Sequence, residues 1–272
     1  MQEQEIKFLE EQAKKIRKGI IEQVYRAQSG HPGGSLSIAD ILSVLYFKEM
    51  NVNPKKPDWE DRDRLVLSKG HCSPALYSAL ALKGYFDSEE LNGFRNINSK
   101  LQGHPDMNKV PGVDMTTGSL GQGLSAANGM AIAGKMNNKK YRVYCILGDG
   151  ELEEGQIWEA AMTAKKYKLD NLCVIVDNNN LQIDGSIIDV KSPYPIDFKF
   201  SSFGFKTINV DGHDVKKIAE ALDKGRINKD QPTCIVANTI KGKGVSFMEN
   251  KVGWHGKAPN EGEYNIAISD LS

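Results

Sequence analysis

The sequence predicts an α/β fold: a doubly wound, mostly parallel sheet with helices on both faces. Two observations carry this expectation. Segments rich in apolar and β-branched residues alternate with segments of helical period, the rhythm of repeated βαβ units. Segments 143–147, 172–176 and 233–237 are also apolar almost throughout, whereas a strand wet on one face would alternate. The chain has 272 residues, of which 40% are hydrophobic. It can therefore bury a sizeable core without disulfides. No repeat or low-complexity linker divides it, so residues 1–272 are read as one domain.

Taken in order, Ile6, Leu9, Ala13, Ile16, Ile20 and Val24 recur at three- and four-residue intervals and predict an amphipathic helix. The run from Ser29 to Gly34, with Pro32 and three glycines, ends it. A second helix is expected to start near Ser37, capped by that serine with Asp40 three positions on. Residues 64–67 read as a strand, 74–83 as a helix and 124–136 as a helix rich in small residues. Residues 141–147 form the next strand, 153–168 a helix and 172–176 a strand. Residues 205–210, 214–224 and 234–237 add β, α and β. The stretch 191–202 reads as a loop within the domain. Residues 241–259 form a long glycine-rich irregular segment, of the kind that is often functional.

Charge excludes some partners. Lys+Arg and Asp+Glu each number 35, and such a balance argues against nucleic-acid binding, which clustered positive charge drives. No segment approaches the apolar length of a membrane span. The N-terminus has no apolar h-region, so no signal peptide is read. Cys72, Cys145, Cys173 and Cys234 show no C-x-x-C spacing and read as buried thiols of a reducing compartment, with the cytoplasm as the expected location.

The chemistry gathers at strand ends. Gly148-Asp149-Gly150 follows one strand and Asp177-Asn178-Asn179 the next, with Asp149 and Asn179 thirty positions apart, the length of one βαβ crossover. Either motif alone is a turn. Together they can bring a charged and a neutral oxygen ligand to one rim of the sheet, where ligands of open α/β folds bind. Such a pair suits a hard cation that keeps positions for phosphate oxygens, while the glycines allow phosphates near the backbone. All five histidines adjoin a glycine, and four of them, His31, His71, His104 and His255, are read as site residues. Bends beside an imidazole fit close ligand approach and proton transfer. His213 is expected to be a helix-start residue.

The paired aspartate and asparagine motifs are what thiamine-diphosphate enzymes share, and the chain resembles the N-terminal half of transketolase from about residue 8 to about 260. Five further motifs agree in order: Ser29-Gly30-His31-Pro32-Gly33, Leu67-Ser68-Lys69-Gly70-His71, Gly103-His104-Pro105, Thr117 to Gly123, and His255-Gly256-Lys257-Ala258-Pro259. The resemblance implies thiamine diphosphate held through Mg²⁺ or Ca²⁺. Asp149, Asn179 and the Leu181 carbonyl would be the metal ligands. Gly150, Glu151, Gly118, Ser119, Leu120, Ile183, His71, Lys241, Asn179 and His255 would lie on the cofactor. His31, His104, His255 and Arg95 would meet the substrate. His31, His71, His104, His255 and Glu154 would take part in catalysis, with Glu154 and Glu159 in a charged network between two cofactor sites.

The implied reaction moves a two-carbon ketol unit from a ketose phosphate to an aldose. The family also needs a domain that grips the cofactor's aminopyrimidine, and no sequence here corresponds to it. The expectation is a split enzyme that self-associates, a heterotetramer with a separately encoded C-terminal subunit. Trp254 and residues 243–254 depart from the family pattern, which leaves the sugars open. Alternatives are a deoxyxylulose-phosphate synthase-like or 2-oxoacid dehydrogenase α-like subunit, or a non-catalytic cofactor-binding half. An NAD site is disfavoured, because Gly118 to Gly123 runs G-x-x-G-x-G.

Overall fold

A computed structural model describes residues 1–272. Its strands are β1 (Arg64–Leu67), β2 (Val143–Gly148), β3 (Leu172–Asn178), the hairpin arms β4 (Leu181–Gln182) and β5 (Gly185–Ser186), β6 (Lys206–Asp211) and β7 (Thr233–Asn238). Five of them form one wholly parallel sheet in the order β1-β2-β3-β7-β6. The helices are α1 (Glu3–Ala27), α2 (Pro32–Leu36), α3 (Ala39–Val44), α4 (Ser73–Lys83), α5 (Gln122–Met136), α6 (Gly155–Lys166), α7 (Ile187–Lys191), α8 (Ile196–Ser202), α9 (Val215–Ile227) and α10 (Glu261–Asp270).

Alternate residues of the central strands point to opposite faces and so build two cores. Leu65, Tyr144, Ile146, Cys173, Ile175 and Ile235 pack with α1, α3, α4 and α9. Val66, Cys145, Leu147, Val174, Val176 and Val236 pack with α5, α6 and α8. Handedness explains the division. From β1 through β3 the chain steps across the sheet in one direction, whereas from β6 to β7 it steps back. Right-handed crossovers therefore put α9 on the face opposite α5 and α6. All five strands of this sheet run the same way, so their carboxyl ends share one rim.

Some local expectations change. The proline-glycine run does not exclude helix: Pro32 occupies the first position of α2, where its missing N–H costs nothing. Ser37 starts no helix; Ile38 is the N-cap of α3. Ser37 lies between α2 and α3, and its hydroxyl donates to the Asp177 carboxylate, 2.7 Å away. The stretch 191–202 contains α8, which buries Ile196 and Phe200 beneath the sheet. β6 is an edge strand bonded only to β7 and is half-exposed along its length, unlike the central strands. α10, opened by an Asn260–Glu263 capping box, is an element the sequence pattern does not predict.

Close backbone approach fixes the start of α5. A Cβ built on Gly123 would lie 2.3 Å from the Ser68 hydroxyl and 2.8 Å from Ser68 Cα, so the helix can seat on the end of β1 only without a side chain there. Gly123→Ala is expected to cost about 2 kcal/mol by overpacking, lowering Tm by about 5 °C. Thermal unfolding followed by circular dichroism checks this.

Candidate active site

The strand ends enclose a cavity of about 260 Å³. β2 delivers Gly148, Asp149 and Gly150, and β3 delivers Asn179, with Leu181, Gln182 and Ile183 of the following hairpin. His31, Gly34, Lys69, His71, Gly118, Leu120, Glu151, Lys241 and His255 complete the lining. Larger clefts lie at the opposite, amino edge of the sheet, but lysines and arginines paired to carboxylates line them and no histidine enters them.

Asp149 and Asn179 stand side by side because β2 and β3 pair with Gly148 opposite Asp177. Asp149 is buried and accepts the Asn180 N–H at 2.6 Å and the Gly150 N–H at 2.9 Å. Burial, reinforced by the Asp177 charge, pushes its carboxyl up to about 7. The Leu181 carbonyl accepts from the Lys241 ammonium at 3.1 Å, and Asn179 Oδ1 accepts the Leu181 N–H at 3.2 Å. A buried carboxylate pushed towards protonation, beside an amide and a carbonyl, is a donor set suited to a hard divalent cation. The residues therefore fit a metal-tethered diphosphate.

Beneath this rim lies a fully buried ion pair that the motifs do not single out. The Lys69 ammonium sits 2.5 Å from Asp177 and 2.8 Å from the Gly34 carbonyl. Burial opposes the charge on both, yet their mutual attraction wins, holding the lysine above and the aspartate below their ordinary ranges. An acid at the end of a strand buried on both faces is the available signal, since such a group requires a partner.

Above the rim three imidazoles form a triangle, with ring centroids 5.2, 5.3 and 5.5 Å apart for His31–His71, His71–His255 and His31–His255. Burial lowers all three, and neighbouring positive charge lowers them further. His31 and His71 fall to about 4. His255, whose Nδ1 is 2.8 Å from the Lys241 ammonium, falls to about 2. They are neutral near pH 7. His31 Nδ1 is buried and has no partner in the protein, as expected of an atom awaiting a ligand group.

Other expected residues fall outside the lining. His104 is exposed and packs on Gly118, where a built Cβ would lie 2.9 Å from its ring. Arg95 stacks on Gly103, and both His104 and Arg95 are close enough to depress His31. They stand at the cavity's mouth. Ser119 is exposed and lines a neighbouring hollow. Glu151 reaches the lining, but its oxygens accept from the Ser68 hydroxyl, the Gly121 N–H at 2.9 Å and the Gly148 N–H at 3.0 Å. It braces the cradle from behind. Glu154 and Glu159 are exposed and outside the cavity. Glu154, the N-cap of α6, packs on Gly121, and Glu159 lies on α6 itself. His213 does not start α9; Asp214 caps that helix, and His213 bonds elsewhere.

A carboxyl-edge cavity with a cation-ready rim and a neutral histidine cluster defines a domain that seats a diphosphate-bearing cofactor. The chain belongs to the family described as the transketolase thiamine diphosphate-binding domain, whose profile matches residues 9–269. It is 46% identical to a 6-deoxy-6-sulfo-D-fructose transketolase subunit of Clostridium sp. (strain MSTE9), covering 100% of this chain and 98% of that one. It is 41% identical to an apulose-4-phosphate transketolase subunit of Phocaeicola vulgatus, covering 98% and 95%. Campylobacter jejuni transketolase superposes with a TM-score of 0.92 at 38% identity, over 98% of this chain and 43% of that one. The chain thus spans less than half the length of the solved transketolase it matches.

The imidazoles of His31 and His71 are expected to stay neutral down to about pH 5. Magnesium pyrophosphate should raise their titration points, because the anion offsets Lys69 and Lys241. NMR titration of ring-labelled histidines measures both; a titration near 6.5 that pyrophosphate does not move would contradict the site's electrostatics.

Proposed function

We propose that this chain is the diphosphate-binding subunit of a two-subunit transketolase, moving a two-carbon ketol unit from a ketose to an aldose. The observation that carries the proposal is similarity to relatives named as transketolase subunits, at 46% and 41% identity over 98% and 95% of their lengths. Ile183, on the cofactor rim, is 66% exposed, an apolar surface that a pyrimidine-binding partner subunit would cover. Self-association would supply surroundings for Glu154 and Glu159, giving a heterotetramer.

In this reading Asp149, Asn179 and the Leu181 carbonyl hold Mg²⁺ or Ca²⁺, and the Gly150 N–H and Lys241 face the diphosphate. Thiamine diphosphate supplies a carbon that stabilises an acyl carbanion equivalent. The chain's own residues do the rest. Gly118 and Leu120 flank the cofactor, and Ile183 packs on its ring side. Neutral His31, His71 and His255 accept a proton from a substrate hydroxyl and return it, becoming more basic once the diphosphate offsets the nearby ammonium charge. His104, at the mouth, binds sugar hydroxyls. The sugars named for the two relatives, a 6-sulfo-fructose and a 4-phosphate, share an anionic terminus. The donor proposed here has one too, met by Arg95.

Reconstitution with the C-terminal subunit tests the reading: ketol transfer from an anionic ketose to an aldose is expected from the pair and not from either chain alone. Full-rate transfer by the single chain, or pyruvate turnover in place of ketol transfer, would overturn it. Metal binding is expected to compete with a proton at Asp149. Metal-dependent cofactor affinity should therefore fall about tenfold from pH 8 to pH 6, and Asp149→Asn should remove the dependence on metal. Calorimetry with and without Mg²⁺ checks both outcomes.

A further inference from the structure

His213 is the one histidine outside the cavity and its mouth, and its contacts are unusually determined. It follows β6 and precedes α9, with its side chain mostly buried. Its Nδ1 lies 2.7 Å from the Asp40 carboxylate, and its Nε2 accepts the Ile240 N–H at 2.8 Å. An amide N–H can only donate, so Nε2 must carry the lone pair and Nδ1 the proton. The tautomer is fixed by its neighbours. Asp40 is in turn gripped through both oxygens by the Arg17 guanidinium, which holds its carboxyl below the usual range despite burial. The chain of contacts runs from α1 through α3 to the loop after β7.

Ile240 directly precedes Lys241, whose ammonium reaches into the cavity to the Leu181 carbonyl and His255 Nδ1. On the other side of Ile240, Thr239 donates its N–H to the Asn178 carbonyl and its hydroxyl to Asp177. Beyond Lys241, the Gly242 N–H is held by the Gly33 carbonyl at 2.9 Å. His213 thus holds the Thr239–Ile240 peptide, one link before Lys241, while the Lys241 carbonyl itself accepts the Asn250 N–H at 2.9 Å. Loss of its Nε2 would leave a half-buried N–H without a partner and free the backbone from which the lysine projects.

We propose that His213 is a positioning residue for the cofactor site: by capturing the Ile240 N–H in a tautomer set by Asp40 and Arg17, it places the Lys241 ammonium against the diphosphate. This rests on the reading of Lys241 as a diphosphate ligand. The test is a double-mutant cycle on thiamine diphosphate affinity with Mg²⁺, measured by calorimetry in whichever assembly of the chain binds it most tightly, with Tm recorded for every variant. His213→Phe keeps the volume and removes the acceptor, and is expected to weaken binding about tenfold. His213→Gln, whose amide oxygen can still accept from Ile240, is expected to stay within about threefold of wild type. In a Lys241→Met background, His213→Phe is expected to add little, because the group it positions is gone. An unchanged affinity in His213→Phe, or the same loss with and without Lys241, would overturn the proposal. An unchanged affinity in Lys241→Met would overturn the underlying reading of the site, and the positioning role with it.

Discussion

The Asp177 carboxylate is completely buried and accepts from Ser37, Lys69, Asn179 and Thr239. Those groups come from the α2–α3 junction, the end of β1, the loop after β3 and the end of β7. Distant parts of the chain are therefore pinned to one anion at the carboxyl edge of the sheet. A buried carboxylate without such partners would neutralise or force the fold open. With them, it fixes the floor on which the cofactor rim is built. Asp149 feels its charge, Asn179 is oriented by it, and Lys241 follows two residues after Thr239.

The two ends of the site differ in how fully this chain determines them. At the diphosphate end, Glu151 braces Gly121 and Gly148, and Asn180 and Gly150 donate to Asp149, so the backbone is preorganised before any anion arrives. At the other end, His31 keeps an unpartnered nitrogen, His104 is exposed and Ile183 has open surface. Burial, and then nearby positive charge including Lys241, keeps the imidazoles neutral, so an incoming diphosphate would raise their basicity.

Much of this can be read from the sequence because it is written in local rules. Continuous apolar runs mark β2, β3 and β7 as central strands, and their spacing puts Asp149 and Asn179 on one rim. β6 is also read, at 205–210, although as an edge strand it lacks the continuous apolar run of the central strands. Ser37 and His213 pass for helix-start residues because a polar residue before a helix has a local explanation, whereas their actual partners, Asp177 and Ile240, lie 140 and 27 positions away. Lys69 lies within the Leu67–His71 motif without an assigned role, because only the fold shows the acid beneath it. Glu154 and Glu159 are legible as acids at and on α6, and neither enters the cavity.

The dependence of the rim on Asp177 is tested most directly by urea unfolding of wild type, Lys69→Met, Asp177→Asn and the double variant, with pyrophosphate binding measured on each. Each single change is expected to cost about 3–5 kcal/mol by stranding a buried charge, and the double change clearly less than the sum. Binding is expected to weaken in all three variants. If Lys69→Met kept wild-type stability, or if the two losses were additive and pyrophosphate still bound normally, Asp177 would not be the group that organises this site.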